Sequence, residues 1–419
     1  MIFVPAEADK NLRNVAESNY ITMITEPLAV PGFLANGIPV GIKADGKKDL
    51  SLLFSTVPAK AVGMFTTNSF KAAPVVLDKE RIKSGLAQAI LTNSGNANAA
   101  TGEQGYRDAL SMSKAASDSL SIADDLVLVA STGIIGQPLL VDLIMSAMPG
   151  LTAGLRPEGI SAAEEAIMTT DKFPKISLRK AIIGNKEITL CGLAKGAGMI
   201  SPTMATMLAF FITDAEIEAA ALQNIFRQVV NKTFNAITVD GCMSTNDTAI
   251  IMANGVARNS VIKLRTKDSS LFKEMLFSAM DELSQAIVRD GEGATKVIEI
   301  HIEGAASTAE AKKAGYAIAN SNLVKTAFFG GDPNWGRIIS AVGSIGINVA
   351  VDAMEVTFEN VAVFAGGAGV TGSEQRLGEI MAKPNIRLRV NLAAGNKKFR
   401  LLTSDLGFDY VKINAHYHT

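Results

Sequence analysis

The sequence predicts a layered α/β (α+β) protein. Helical and strand patterns interleave along the chain without a fixed repeat period, and no low-complexity segment interrupts them. The last third alternates apolar and polar residues at strand spacing, as in 386–392. With 419 residues, 48% of them hydrophobic, the chain can bury a core for two domains or for one large two-lobed unit.

The elements follow in order. A short strand is expected over 50–55, after the turn Ala44-Asp45-Gly46. The stretch GIKADGKK, from Gly41 to Lys48, is one residue short of a phosphate-binding loop. Lys48 stands where Ser or Thr would hold magnesium, so the stretch is read as a turn. A buried strand over 87–91 runs into Asn93-Ser94-Gly95-Asn96-Ala97-Asn98. These amides suit ligand contacts, and turn chemistry explains them equally well. A helix over 103–119 carries apolar residues three and four apart. The strand over 126–130 ends in Ser131-Thr132-Gly133-Ile134-Ile135-Gly136, and a helix from Ser161 leads to Thr169-Thr170-Asp171.

Next comes a strand over 186–191, and then KGAGMISPTMATML from Lys195 to Leu208. That stretch looks like a loop delivering a hydroxyl to the start of a buried strand over 208–212. Asp214 is a candidate cap for a helix over 216–231. Thr238 to Gly241 closes a strand, and a polar loop, 244–248, precedes a strand over 249–253. The amphipathic helix over 269–289 has Gly291 as its expected C-cap. A strand over 297–302, a helix, the turn GGDPNWGR and a short helix follow. Residues 386–392 and 399–402 are expected to pair with each other as a hairpin.

Composition excludes several function classes. The 40 Lys+Arg against 41 Asp+Glu give no global attraction to nucleic acid or a charged membrane surface. No apolar run reaches spanning length, and MIFVPAEADK lacks the basic and apolar regions of a signal peptide. Cys191 and Cys242 have no metal or redox spacing and read as reduced, cytoplasmic thiols. The three histidines are His301, in the strand, and His416 and His418 at the C-terminus. A Ser-His-Asp triad or a multi-histidine metal site would have to draw on these, so no metal is expected.

A histidine-poor chain can still perform acyl transfer if the nucleophile supplies its own base. A cut between Ala205 and Thr206 would make Thr206 such a group. A free α-amine has a pKa of about 7.7–8.0, so part of it is neutral near neutral pH and can accept the hydroxyl proton. The β-branch stiffens χ1 and aims the hydroxyl. Thr132 and Gly133 offer a hydroxyl and a backbone N–H for an oxyanion. Lys195 suits a substrate carboxylate and Glu292 a substrate amine. Taken singly, each of these residues reads more simply as a turn, a solvated or paired charge or a buried strand position.

Taken together, the segments resemble the ornithine acetyltransferase (glutamate N-acetyltransferase) family of arginine biosynthesis. The resemblance rests on PGFLANGIPVGIK, KKDLSLL, FTTNSFKAAPV, TNSGNANAATG, ASTGIIG, KGAGMISPTMATML, TVDGCMSTNDT, VRDGEGATK, GGDPNWGRI and the ending INAHYHT, in that order along nearly the whole chain. It implies self-cleavage at Ala205-Thr206, giving an α chain of residues 1–205 and a β chain of 206–419 that fold together as one two-lobed unit. It implies Thr206 as nucleophile, with Thr132 and Gly133 as the oxyanion hole. Thr169, Lys195, Thr206, Glu292, Asn414 and Thr419 match the substrate-binding positions. The implied fold is a layered αββα sandwich similar to self-processing β-peptidyl aminopeptidases, with a smaller C-terminal lobe.

The implied reaction is ping-pong transfer of an acetyl group from N2-acetylornithine to glutamate through acetyl-Thr206. No cofactor is implied; acetyl-CoA is an additional donor in bifunctional members. The expected assembly is a heterotetramer of two α and two β chains in the cytoplasm, without nucleic-acid or membrane partners. Cys242 departs from the pattern, because an acidic residue usually follows TVDG. His416 and His418 also stand where other residues are common. Two alternatives are a self-processing aminopeptidase of the same architecture and a non-catalytic α/β ligand-binding protein.

Overall fold

The structure is a computed structural model describing residues 22–23, 28–201 and 207–416. Its strands are β1 Thr22–Met23, β2 Phe33–Ile38, β3 Leu50–Phe65, β4 Leu86–Asn96, β5 Val127–Ile134, β6 Ile176–Ile183, β7 Lys186–Lys195, β8 Leu208–Thr213, β9 Ile237–Thr238, β10 Thr248–Ala253, β11 Val297–Ala305, β12 Glu355–Phe358, β13 Val361–Ala365, β14 Ala368–Gly369, β15 Asn385–Asn391 and β16 Lys397–Ser404. Its helices are α1 Ala73–Arg81, α2 Gly102–Leu120, α3 Val141–Ala153, α4 Ile160–Ile167, α5 Ala219–Val230, α6 Lys267–Arg289, α7 Thr308–Ala319, α8 Asn322–Phe329, α9 Trp335–Gly343, α10 Glu374–Met381 and α11 Phe408–His416.

One nine-stranded sheet runs β1-β6-β7-β8-β10-β3-β4-β5, with β2 also paired to β3. β3 makes this sheet into two layers. Its register on β4 shifts between Phe54 and Ala59, around Pro58, which has no N–H to give a neighbour. Its first half pairs with β2 and β4, and its second half, from Lys60 to Phe65, pairs with β10. The two halves face each other across Leu53, Ile90, Leu128, Leu193, Phe210 and Ile250, with α4 packed into the same layer. Helices α2 and α3 cover one outer face through Met112 and Ile144. Helices α5 and α6 cover the other through Phe226, Phe272 and Leu276. The result is a helix–sheet–sheet–helix sandwich, as expected.

This layering explains the apolar run of β8. Leu208, Phe210 and Ile212 point into the space between the half-sheets. Ala209 and Phe211 point out toward α5 and α6. A strand covered on both faces has no polar alternation.

The smaller C-terminal lobe is a seven-stranded sheet in the order β14-β13-β12-β15-β11-β16-β9. Helices α7 to α10 pack on it around Ile298, Ile300, Leu388 and Val390.

Three expectations about elements fail. The strands at 386–392 and 399–402 form, but not as a hairpin. β11 lies between them, parallel to β15 and antiparallel to β16. Its alternating Ile298, Ile300 and Ile302 are fully buried, which gives β11 the central place. Asp214 does not cap a helix; α5 starts at Ala219 after Glu218. The Asp214 carboxylate instead accepts the Thr189 N–H at 2.8 Å, and burial raises its pKa to about 6. Gly291 is not a left-handed cap, because α6 ends on Asp290 with φ −83°. Helix α3 was not anticipated, since Pro149 lies inside it and its exposed Leu143 and Met145 blur the helical period.

Candidate active site

The end of β5 carries Thr132 and Gly133, which lie opposite Ser94 and Gly95 of β4. Gly133 has φ +136°, and a Cβ there would sit 2.3 Å from the Gly95 carbonyl carbon. Only glycine permits this approach. The neighbouring amides are buried and committed to the chain itself. Asn93 accepts from the Ser131 hydroxyl at 2.5 Å and donates to the Asn96 carbonyl at 2.9 Å. Asn246 donates to the carbonyls of Ala97 and Ser131 at 2.6 and 2.7 Å. The amide-rich turn is therefore scaffolding that fixes the Thr132-Gly133 backbone.

Lys195 ends β7 and is 3% exposed. Its ammonium donates to the Thr169 hydroxyl at 2.8 Å and to the Thr132 hydroxyl at 3.1 Å. Because Thr132 Oγ1 accepts this bond, its own O–H remains available to donate to a bound group. Burial lowers the Lys195 pKa, against the opposing pull of Asp171, Glu292 and Asp247. Asp171 accepts N–H bonds from Thr169 at 2.9 Å and Gly196 at 2.7 Å. Burial works against its ionisation, but Lys195 and Lys175 outweigh that and hold its pKa at about 2.

Residues 197–200, after Lys195, are held by contacts with distant segments. Ala197 accepts the Glu292 N–H at 3.1 Å, and Ile200 accepts the Val239 N–H at 2.9 Å. Met199 has φ +59°, costly for a side-chain-bearing residue, and donates its N–H to the Asp240 carboxylate at 2.6 Å. A Cβ on Gly198 would lie 2.5 Å from the Glu292 carboxyl carbon, so Gly198 makes room for that carboxylate. Glu292 accepts from the Asn414 amide of α11 at 2.8 Å.

These groups converge on one cavity of about 160 Å³. Thr132, Gly133, Thr169 and Lys195 line it together with Glu292 and Asn414. Ala205, Thr206 and Thr419 lie outside the described residues. Met207, which follows Thr206 in the chain, donates its N–H to Asp247 at 3.2 Å. Burial raises the Asp247 pKa well above the usual carboxylate range.

The ArgJ family matches residues 34–419. The chain belongs to the ArgJ family. It is similar to the "Arginine biosynthesis bifunctional protein ArgJ" of Geobacter sulfurreducens, 46% identical over 391 residues, covering 93% of this chain and 100% of the relative. The protein of the same name from Caldanaerobacter subterraneus is 46% identical over 392 residues, covering 93% of this chain and 97% of the relative. A crystal structure of the Bacillus halodurans protein of that name matches with 39% identity and a TM-score of 0.48, covering 50% of this chain and 98% of that chain. This ArgJ-family chain is an enzyme, an acetyltransferase of arginine biosynthesis.

Within this ArgJ-family site, several residues were not singled out by sequence: Lys175, Asp240, Asp247, Asp290 and Tyr410. Their signal in the chain is weak, because each is an ordinary charged or polar residue whose partner is distant. Cys242 lines the cavity and donates its N–H to Asp240 at 3.1 Å. His301 lies on β11 beside Glu299, and His416 Nδ1 sits 2.7 Å from the Lys412 carbonyl; neither lines the cavity. The stretch resembling a phosphate loop is a turn around Asp49. That carboxylate already takes the N–H groups of Val40, Ile42 and Lys43 at 2.7–2.9 Å. No helix among the described residues is long and apolar enough to cross a membrane.

Proposed function

We propose that the enzyme transfers an acetyl group from N2-acetylornithine to glutamate through an acetyl-Thr206 intermediate. The observation that carries this is the cavity's polarity. A buried ammonium, Lys195, stands with the Thr132 hydroxyl, and the Glu292 carboxylate lines the same cavity. Such a site suits an amino-acid head, with its carboxylate on Lys195 and its α-nitrogen, acylated in the donor and free in the acceptor, toward Glu292. Both substrates carry that head, so one site serves both half-reactions. Thr169, Asn414 and Thr419 complete the proposed binding set.

The precursor first cleaves itself between Ala205 and Thr206. The freed Thr206 amine then accepts the proton of its own hydroxyl as Oγ1 attacks the acetyl carbonyl carbon. The Thr132 O–H and the Gly133 N–H hold the oxyanion. The C–N bond breaks, the proton passes to the departing amine of ornithine, and an acetyl ester remains on Thr206. The glutamate amine attacks that ester and gives a proton to the Thr206 amine; the C–Oγ1 bond breaks, the proton passes to Oγ1, and N-acetylglutamate leaves. No cofactor takes part, and acetyl-CoA is a second donor that the same acyl-threonine permits. The proposed assembly is two α (1–205) and two β (206–419) chains in the cytoplasm.

Thr206→Ala tests this. Wild type is expected to give two bands on a denaturing gel and to form N-acetylglutamate. The variant is expected to stay a single chain and form none. A Thr206→Ala protein that still transfers acetyl groups contradicts the mechanism, and wild-type hydrolysis of small peptides without transfer points to the aminopeptidase alternative.

A further inference from the structure

Beneath the site lies a charge network that the proposed mechanism does not use. Lys175, 2% exposed, donates to Asp171 at 2.7 Å and to Asp290 at 2.5 Å. Both carboxylate side chains are fully buried. Asp290 also accepts the Lys172 N–H at 3.0 Å. A buried ion pair of this kind contributes little to stability compared with well-packed apolar side chains, so its presence calls for another role. Its connections supply one. Asp171 is bonded to the N–H of Thr169 and of Gly196, the residue after Lys195. Asp290 stands two positions before Glu292. The network therefore joins the three segments that carry Thr169, Lys195 and Glu292.

We propose that Asp171 is a positioning residue for Lys195, taking the backbone N–H groups of Thr169 and Gly196 on both sides of the ammonium's contact with Thr169 and placing a buried carboxylate in the same network. Lys175 and Asp290 complete the buried network around Asp171, whose two backbone N–H bonds do not depend on them. The charged groups that act on Lys195 are Asp171, Glu292 and Asp247, which favour its cation, and Lys175, which opposes it. Lys43, whose ammonium donates to the Met168 carbonyl, adds a second like charge nearby. The role of Asp171 in substrate affinity rests on the proposed binding of a substrate carboxylate by Lys195. Its effect on the Lys195 amine does not.

Two substitutions separate this role from simple damage to the fold, because they push Lys195 in opposite directions. Asp171→Asn removes an attractive charge and should lower the pH at which the amine loses its proton. Lys175→Gln removes a repulsive one and should raise it. The readout is reductive methylation of Lys195 with formaldehyde and cyanoborohydride across a pH series, quantified by peptide mass spectrometry on the full-length enzyme. The midpoint is expected to fall by about one pH unit or more in Asp171→Asn and to rise in Lys175→Gln. The alkaline limb of kcat/KM for acetyl transfer should move the same way. Unmoved midpoints, or midpoints moving together, overturn the proposal. If Asp171→Asn does not fold, Asp171→Ser, which also removes the charge, decides by whether its midpoint falls. A wild-type enzyme without transfer activity contradicts the functional proposal instead, and the methylation result still stands.

Discussion

The Thr132 side chain is arranged as a donor by a bond it accepts. Lys195 occupies one lone pair of its oxygen at 3.1 Å, which leaves the hydroxyl hydrogen for the proposed oxyanion. Thr132→Val keeps the shape and removes that hydrogen. The expected result is a fall in kcat of about 10²–10³ with little change in KM, measured by steady-state acetyl transfer. An unchanged kcat would remove Thr132 from the oxyanion hole. Glycine has the opposite kind of role here. Gly133 and Gly198 have no side chain to offer, but each leaves space that a methyl would fill, against β4 in one case and against Glu292 in the other.

At the scale of elements, α4 carries a pH-sensitive feature. Glu164 is fully buried in it, with one oxygen accepting the Lys175 N–H at 2.9 Å and the other without a hydrogen-bond partner. Burial raises its pKa to about 8. A carboxyl raised on folding binds its proton more tightly in the native state, so stability falls as pH rises from the ordinary carboxylate range to about 8. Glu164→Gln removes that loss. Its Tm relative to wild type should be higher at pH 8 than at pH 5, as read by thermal unfolding; an equal difference at both values would show that Glu164 does not titrate this way.

The elements also show what the sequence makes legible. Leu208 to Ile212 reads as a doubly buried strand, and Ser131 to Gly136 reads as a strand end, because apolar runs and turn residues are local signals. The pairing of β15 and β16 with β11 is not local. Two alternating strands separated by a turn satisfy the hairpin pattern, and the sequence does not say that a third strand, about ninety residues earlier in the chain, lies between them. The fold of the long β3 around Pro58 is likewise visible only once its two sets of partners are known.

For the whole molecule, the sandwich brings groups from distant parts of the chain into one cavity. Thr132 comes from β5, Lys195 from β7, Glu292 from the turn after α6 and Asn414 from α11. Thr132 and Glu292 stand in glycine turns at the ends of elements, which are local signals, whereas Asn414 is legible only through the family resemblance. The supporting network was not legible, because Lys175 and Asp290 are 115 positions apart and nothing local to either marks their pairing. What unites the cavity with the proposed chemistry is a covalent acetyl-threonine. The decisive measurement is peptide mass spectrometry of the wild-type enzyme after brief exposure to N2-acetylornithine without glutamate. An acetyl group on the peptide beginning at Thr206, removed when glutamate is added with N-acetylglutamate appearing, is the expected result. Transfer that proceeds while that peptide stays unmodified at every time point, or an acetyl group found on a different residue, would contradict it.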